Sequence, residues 1–232
     1  MTRRQLAIAS ILLLAIAAII FMPLRMIVSS DAMSARKVEG IIWDGSIRDL
    51  KVGRLPIGDV NARLHFLPLL LARAEISFSR GDAPFAPGLS GSIVRRFGGF
   101  SVDGVTATLP VADIFTPLPA DNIQLQDFSV RFIAGQCADA GGSVRLTFAS
   151  GVPGYELANG LLGTPRCASR QLLIPLVSQS AMERVDIRLA ADGGYSAAIS
   201  LAGDRSEQAQ SLILAGFRPV AGGYRMVRRG RF

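Results

Sequence analysis

Residue-by-residue alternation of apolar and polar side chains recurs along most of this chain and restricts it to a β architecture. Val60-Asn61-Ala62-Arg63-Leu64-His65-Phe66 alternates without a break, and so does Ala74-Glu75-Ile76-Ser77-Phe78-Ser79. The same pattern runs through Val105 to Leu109, Phe128 to Phe132, Val144 to Phe148 and Val185 to Leu189. Successive strand side chains point to opposite faces, so each run has one apolar and one polar face. Such runs build an antiparallel sheet wetted on one side. Glycine and proline punctuate them at Gly53, Pro56 and Gly58, at Gly81, Pro84, Pro87 and Gly88, and at the pairs Gly98-Gly99, Gly141-Gly142 and Gly222-Gly223. Asp192-Gly193-Gly194, between two alternating runs, reads as a hairpin turn.

Helical signals are few. Leu67 to Arg73 (LPLLLAR) suits a turn or two, with Pro68 tolerated at the start. Val111 to Phe115 suits another single turn. The best candidate is Asp204 to Ala215, with Asp204 or Ser206 as N-cap and Gly216 as the stop. Arg80 to Phe97 carries little pattern and reads as containing a loop. The expected domain is mainly β: a curved, mostly antiparallel sheet with one or two short helices.

Ahead of it lies a different kind of segment. Arg3 and Arg4 precede an apolar stretch from Leu6 to Met22, extended past Pro23 to Leu24, in which Ser10 is the only polar side chain. About 19 residues at ~1.5 Å rise give about 28 Å, close to the ~30 Å hydrocarbon core of a bilayer. The sequence therefore predicts a transmembrane helix, its arginine-bearing tip cytoplasmic. Residues 1–30 form the tip and anchor, and residues 31–232 a domain across the inner membrane, in the periplasm. Arg25 is placed to snorkel to the headgroups. The competing reading is a cleaved signal peptide with Ser30-Asp31-Ala32 as its small-x-small site, although signal h-regions are shorter, about 7–15 residues.

Charge and side-chain inventory narrow the function. The net charge of +7 comes mostly from arginine, since Lys37 and Lys51 are the only lysines. Arginines scattered singly along strands mark a solvated or headgroup-facing surface, and a nucleic-acid partner would need clusters with exposed aromatics. The one basic cluster, Arg225, Arg228, Arg229 and Arg231, reads as outward residues on a last strand, with a binding patch as the alternative. Cys137 and Cys167 are the only cysteines, and in an oxidising compartment two cysteines in one domain are expected to pair. Closing that loop is worth on the order of 3.5 kcal/mol by chain entropy.

Chemistry is sparse. His65, the only histidine, occupies a polar strand position that faces water, and no G-x-S-x-G elbow accompanies any serine. One histidine and two distant cysteines fall short of a zinc set, and no phosphate-binding glycine loop is present. The chain is read as a non-enzyme with no catalytic, cofactor-binding or metal residues.

One constellation stands apart. Gly40-Ile41-Ile42-Trp43-Asp44-Gly45 holds the only tryptophan between two glycines, shortly after the apolar segment. By itself it suits a packed tryptophan near a membrane interface, its body apolar and its N–H donating. The apolar segment, this G-x-x-W-x-G element, the following alternating run and the turn bearing Pro68, Leu70 and Leu71 together resemble protein N of the bacterial type II secretion pathway. So do the two cysteines, with Gly141-Gly142 after the first, and the closing Gly223-Tyr224 to Gly230-Arg231-Phe232 stretch. One departure is Leu64-His65-Phe66-Leu67-Pro68, where the family pattern carries a tryptophan. The resemblance implies a non-enzymatic inner-membrane component of the secretion system. Its periplasmic domain would scaffold or contact other components as folded proteins cross the outer membrane. Gly40, Trp43, Gly45 and Pro68 take structural roles only.

Two other readings compete. An AsmA-like lipid-handling groove tethered to the inner membrane would leave the apolar sheet face open to acyl chains. An envelope hydrolase would need polar side chains gathered around His65.

Overall fold

Period-two sequence becomes strand almost throughout. The computed structural model describes residues 23–24, 33–53, 55–81, 88–112, 120–148, 160–203 and 209–231. The expected transmembrane helix at Leu6 to Met22 lies outside them. Among the described residues no helix is long and apolar enough to cross a membrane.

The described residues form sixteen strands and two short helices. The first half contains β1 (Met33–Ser34), β2 (Lys37–Ile41), β3 (Asp44–Val52), β4 (Leu55–Leu64), α1 (Phe66–Leu69), β5 (Ala74–Arg80), β6 (Leu89–Arg96), β7 (Gly99–Pro110) and β8 (Ala120–Ile133). The second contains β9 (Gln136–Phe148), β10 (Leu161–Gly163), β11 (Arg166–Ala168), β12 (Gln171–Val177), β13 (Glu183–Leu189), β14 (Gly194–Ala202), α2 (Ala209–Leu214), β15 (Arg218–Val220) and β16 (Gly223–Arg231). They make one sheet in the order β1-β3-β4-β5-β6-β7-β8-β9-β10-β12-β13-β14-β16-β15, with β2 on β3 and β11 on β12. Each strand pairs antiparallel with a near neighbour in sequence, so the sheet is a meander of hairpins. The mainly β, antiparallel expectation holds.

Its apolar face is the core. Phe128, Val130 and Phe132 of β8, Val144 and Leu146 of β9, Val185 and Ile187 of β13, and Ala197, Ile199 and Leu201 of β14 are all buried in one cluster. Fully burying a leucine or valine contributes about 1.5–3 kcal/mol, so this ladder carries much of the stability. Leu212 of α2 and Phe217 just after it belong to the same cluster. The helix within the expected 204–215 segment thus docks one leucine on the sheet and stops at Gly216, whose φ is +96°. The expected caps Asp204 and Ser206 lie outside the described residues, as does most of the expected turn from Val111 to Phe115. Val111 itself continues the β7–β8 pairing, its N–H donating to the Asp121 carbonyl at 2.9 Å.

Two expectations change. Within the stretch from Arg80 to Phe97, read as low in pattern and containing a loop, Leu89 to Arg96 is strand β6. The shift between Ser90 and Ser92 comes from a bulge in β7, where two residues oppose Gly91, and β6 itself runs in unbroken register against β5. Leu89 and Val94, five apart, therefore take opposite faces of the sheet, and both are buried, so burial in β6 does not follow a single face. Gly141-Gly142, read as punctuation, lies inside β9. Gly142 has φ +94°, and a Cβ there would meet the Asp127 carbonyl oxygen at 2.5 Å and the Phe128 Cα at 2.7 Å. It lets two strands approach at the shift between Gln126 and Ser129. A third irregularity, in β3, is clamped from β4. The Asp59 carboxylate accepts the Asp49 N–H at 2.9 Å and the Arg48 guanidinium at 3.0 Å. Those two bonds, the amide's first, hold the Asp59 carboxyl below the usual aspartate range.

The two glycines make a paired test. Gly142→Ala is expected to destabilise the domain by about 2–4 kcal/mol through strain and close contact. Gly141→Ala, with nothing within 4 Å of the added methyl, should change stability by less than about 0.5 kcal/mol. Denaturant unfolding of both variants checks the contrast.

Candidate functional site

The hairpin around the single tryptophan is built by opposed glycines. Gly40 pairs with Gly45 and Ile41 with Asp44, leaving Ile42-Trp43 as a two-residue turn. Gly40 has φ +89°, and a Cβ on it would lie 2.5 Å from the Asp44 carbonyl oxygen. A Cβ on Gly45 would lie 2.6 Å from Leu24 Cδ2 and 2.9 Å from the Glu39 carbonyl oxygen. The first glycine serves the turn, and the second makes room for Leu24.

That room matters because the apolar N-terminal run ends here. Pro23 forms a β-bridge with Ile41, and the Leu24 N–H donates to the Gly40 carbonyl at 3.3 Å. The Leu24 side chain is buried with Ile47 and Ala62 in a small core of its own. The run that the sequence marks as apolar is thus pinned, at its last residues, to the turn carrying Trp43.

Trp43 is half-buried and meets Phe66 edge-on, ring centroids 5.9 Å apart. Phe66 opens α1, the turn between β4 and β5. The expected helix over Leu67–Arg73 is shorter, and Pro68 sits in its first turn, where an N–H is not needed. The Arg73 N–H donates to the Pro68 carbonyl and the Ala72 N–H to the Leu69 carbonyl, each at 3.0 Å. These are the two bonds of a Schellman ending, with Ala72 at φ +54° where glycine is usual. His65, expected to face water, is half-buried with Nε2 3.0 Å from Ser77 Oγ.

The outward face of this turn is apolar: Phe66 is 59% exposed, Leu67 75%, Leu70 68% and Leu71 75%. Four large apolar side chains exposed together form a patch, unlike the single exposed leucines of ordinary surfaces. Because strands alternate in direction, every second turn lies at the same end of the sheet. Ala74 pairs with Arg95, which puts the β6–β7 turn with the fully exposed Phe97 beside α1. The Ala134 N–H donates to the Gly98 carbonyl at 2.7 Å, bringing exposed Ile133 into line. The Cys137 N–H then donates to the Arg170 carbonyl at 2.9 Å, where the Cys137–Cys167 disulfide (Cα–Cα 5.5 Å) holds β11 against β9. Arg73, Arg95, Arg96 and Arg131 stand among these turns. The result is a rim of apolar tips and arginines.

Sequence reading singled out Trp43, Gly40, Gly45 and Pro68, which meet here, and expected Cys137 and Cys167 to pair; the structure puts that disulfide elsewhere on the same rim. It missed the exposure of Phe66, Leu67, Leu70 and Leu71. LPLLLAR breaks the alternation, but that break marks a turn and does not say which of its leucines are exposed. Among the described residues no three His, Cys, Asp or Glu side chains are grouped to hold a metal. The buried carboxylate of Glu183 accepts the Ser178 and Ser180 hydroxyls at 2.7 and 2.9 Å, tying the β12–β13 turn.

These features define a meander β-domain whose apolar run, tryptophan hairpin and leucine turn converge at one end. The chain belongs to the type II secretion system protein N family, whose model matches residues 31–228. No curated protein and no solved structure matches it.

The Schellman ending offers a local test. Ala72→Gly should stabilise the domain by about 0.5–1 kcal/mol, because the left-handed conformation costs alanine but not glycine. A raised thermal midpoint checks it; a lowered one would mean that Ala72 does not adopt that conformation.

Proposed function

We propose that this chain is a single-pass inner-membrane component of the type II secretion system, its N-terminus cytoplasmic and its β-domain periplasmic. The domain works without catalysis. It contacts or scaffolds other components while folded proteins cross the outer membrane. The observation that carries this reading is the family match over residues 31–228, which begins directly after the apolar run.

Geometry supports the topology. Pro23, where the run ends, is bonded to the Trp43 hairpin, so an anchor would hold the rim of apolar tips and arginines close to the bilayer. A tryptophan with leucines and arginines suits that interface, where indole and guanidinium keep a polar group wet while their bodies stay apolar. In this orientation Trp43 and α1 sit at headgroup level. Gly40, Gly45 and Pro68 shape the rim and touch no substrate. An open lipid groove is disfavoured, since the apolar faces of the Val60–Phe66 and Phe128–Phe132 runs are covered at Val60, Ala62, Phe128, Val130 and Phe132.

Deleting the gene is expected to leave folded, normally exported enzymes in the periplasm, and expressing the chain in trans should restore them to the medium. Comparing medium and periplasmic activities checks this. Export unchanged by the deletion would contradict the reading.

A further inference from the structure

The sheet ends in a strand with one side open. β16 pairs with β14 over its whole length, from Ala202↔Gly223 to Gly194↔Arg231. On its other side β15 covers only Gly223 to Arg225. No strand lies beyond Met226 to Arg231 among the described residues.

Register tells which groups are free to pair. The Ala202 N–H donates to Met182, and the Gly194 carbonyl accepts from Ala190. Even-numbered residues of β14 therefore turn their main-chain groups toward β13, and odd-numbered ones toward β16. Through the pairs Ala197↔Arg228 and Ile199↔Met226, Met226 and Arg228 face β14. Val227, Arg229 and Arg231 point their N–H and C=O groups outward. An unpaired row of this kind is a template for another strand.

Charge says what kind of strand. A groove of about 550 Å³ runs along this edge, lined by Gly216, Arg218, Val220 and the stretch from Arg225 to Arg229. Among the described residues none forms an ion pair with Arg218, Arg225, Arg228 or Arg229. The opposite end of the sheet is treated differently. There Pro23 bridges to Ile41, the Leu24 N–H donates to the Gly40 carbonyl, and Lys37 pairs with Glu39 at 2.7 Å, so the end of β2 is covered and its lysine is paired.

We propose that Met226–Arg231 is a docking edge that accepts an extended, acidic segment of a partner protein as an added strand. Main-chain bonds to Val227, Arg229 and Arg231 supply affinity, and the four arginines select carboxylate-bearing partners. A second copy of this chain is disfavoured on the same strand, because its own arginines would oppose them. The secretion assignment above bears only on the source of that segment.

The test uses the full-length chain in zwitterionic micelles and a labelled eight-residue peptide of alternating valine and glutamate. Saturable binding that weakens as salt rises is expected, with slowed amide exchange at Val227 and Arg229. The valine–lysine counterpart should not bind. Val227→Pro removes one outward N–H and leaves the β14 ladder intact, so it should lower affinity at least about tenfold. Methylating the peptide nitrogens on its pairing edge should do the same with the protein untouched. Combining Arg225→Glu, Arg228→Glu and Arg229→Glu should transfer binding to the lysine peptide. The proposal is overturned if acidic peptide binds the methylated form or Val227→Pro unchanged, which would be adsorption without strand addition. It is equally overturned if the lysine peptide binds as well, or if the chain self-associates through this edge. Failure of these titrations while export still depends on the gene removes the docking edge alone; the converse result removes the secretion assignment alone.

Discussion

A sheet with one apolar face must cover that face, and here the strands do most of the covering themselves. With two short helices among the described residues, burial of Val144, Leu146 and Leu176 to 0% exposure falls mainly to side chains of the same sheet. Bulges in β7 and β8, opposite Gly91 and Gly142, supply bends and extra twist that a flat ladder lacks. Once the face is closed, the exposed apolar cluster at the strand ends and the unpaired edge of β16 stand out among the described residues.

The strand-end surface follows from local chain geometry. Opposed glycines narrow the β2–β3 hairpin enough for Leu24 to be buried against it. That contact fixes where the apolar run meets the domain. The leucine turn beside it has no core position to fill, and its side chains stay exposed as a group. The edge surface follows from topology. Among the described residues β15 is too short to cover β16, and arginines occupy the stretch beyond it.

Much of the fold was legible because period-two runs survive wherever pairing is regular, as in Phe128 to Phe132 and Val185 to Leu189. β6 was not, because its two buried side chains, Leu89 and Val94, lie on opposite faces of the sheet. Gly141-Gly142 misled for another reason: a glycine that admits a neighbouring strand looks, in sequence, like one that makes a turn. Of the rim, Trp43 between its glycines was visible. The exposure of Leu67, Leu70 and Leu71 was not, since a leucine run reads as burial until its neighbours are known. The open edge of β16 depends on which strand lies beyond it, and no local pattern encodes that.

The central claim is that the Trp43 rim rests at the membrane surface. Trp43 is the only tryptophan, so its fluorescence reports on this site alone. With the full chain in vesicles of lipids brominated high on the acyl chain, the account predicts strong quenching and little quenching by aqueous iodide. Emission insensitive to the brominated lipid but readily quenched by iodide would place the rim in water and contradict it.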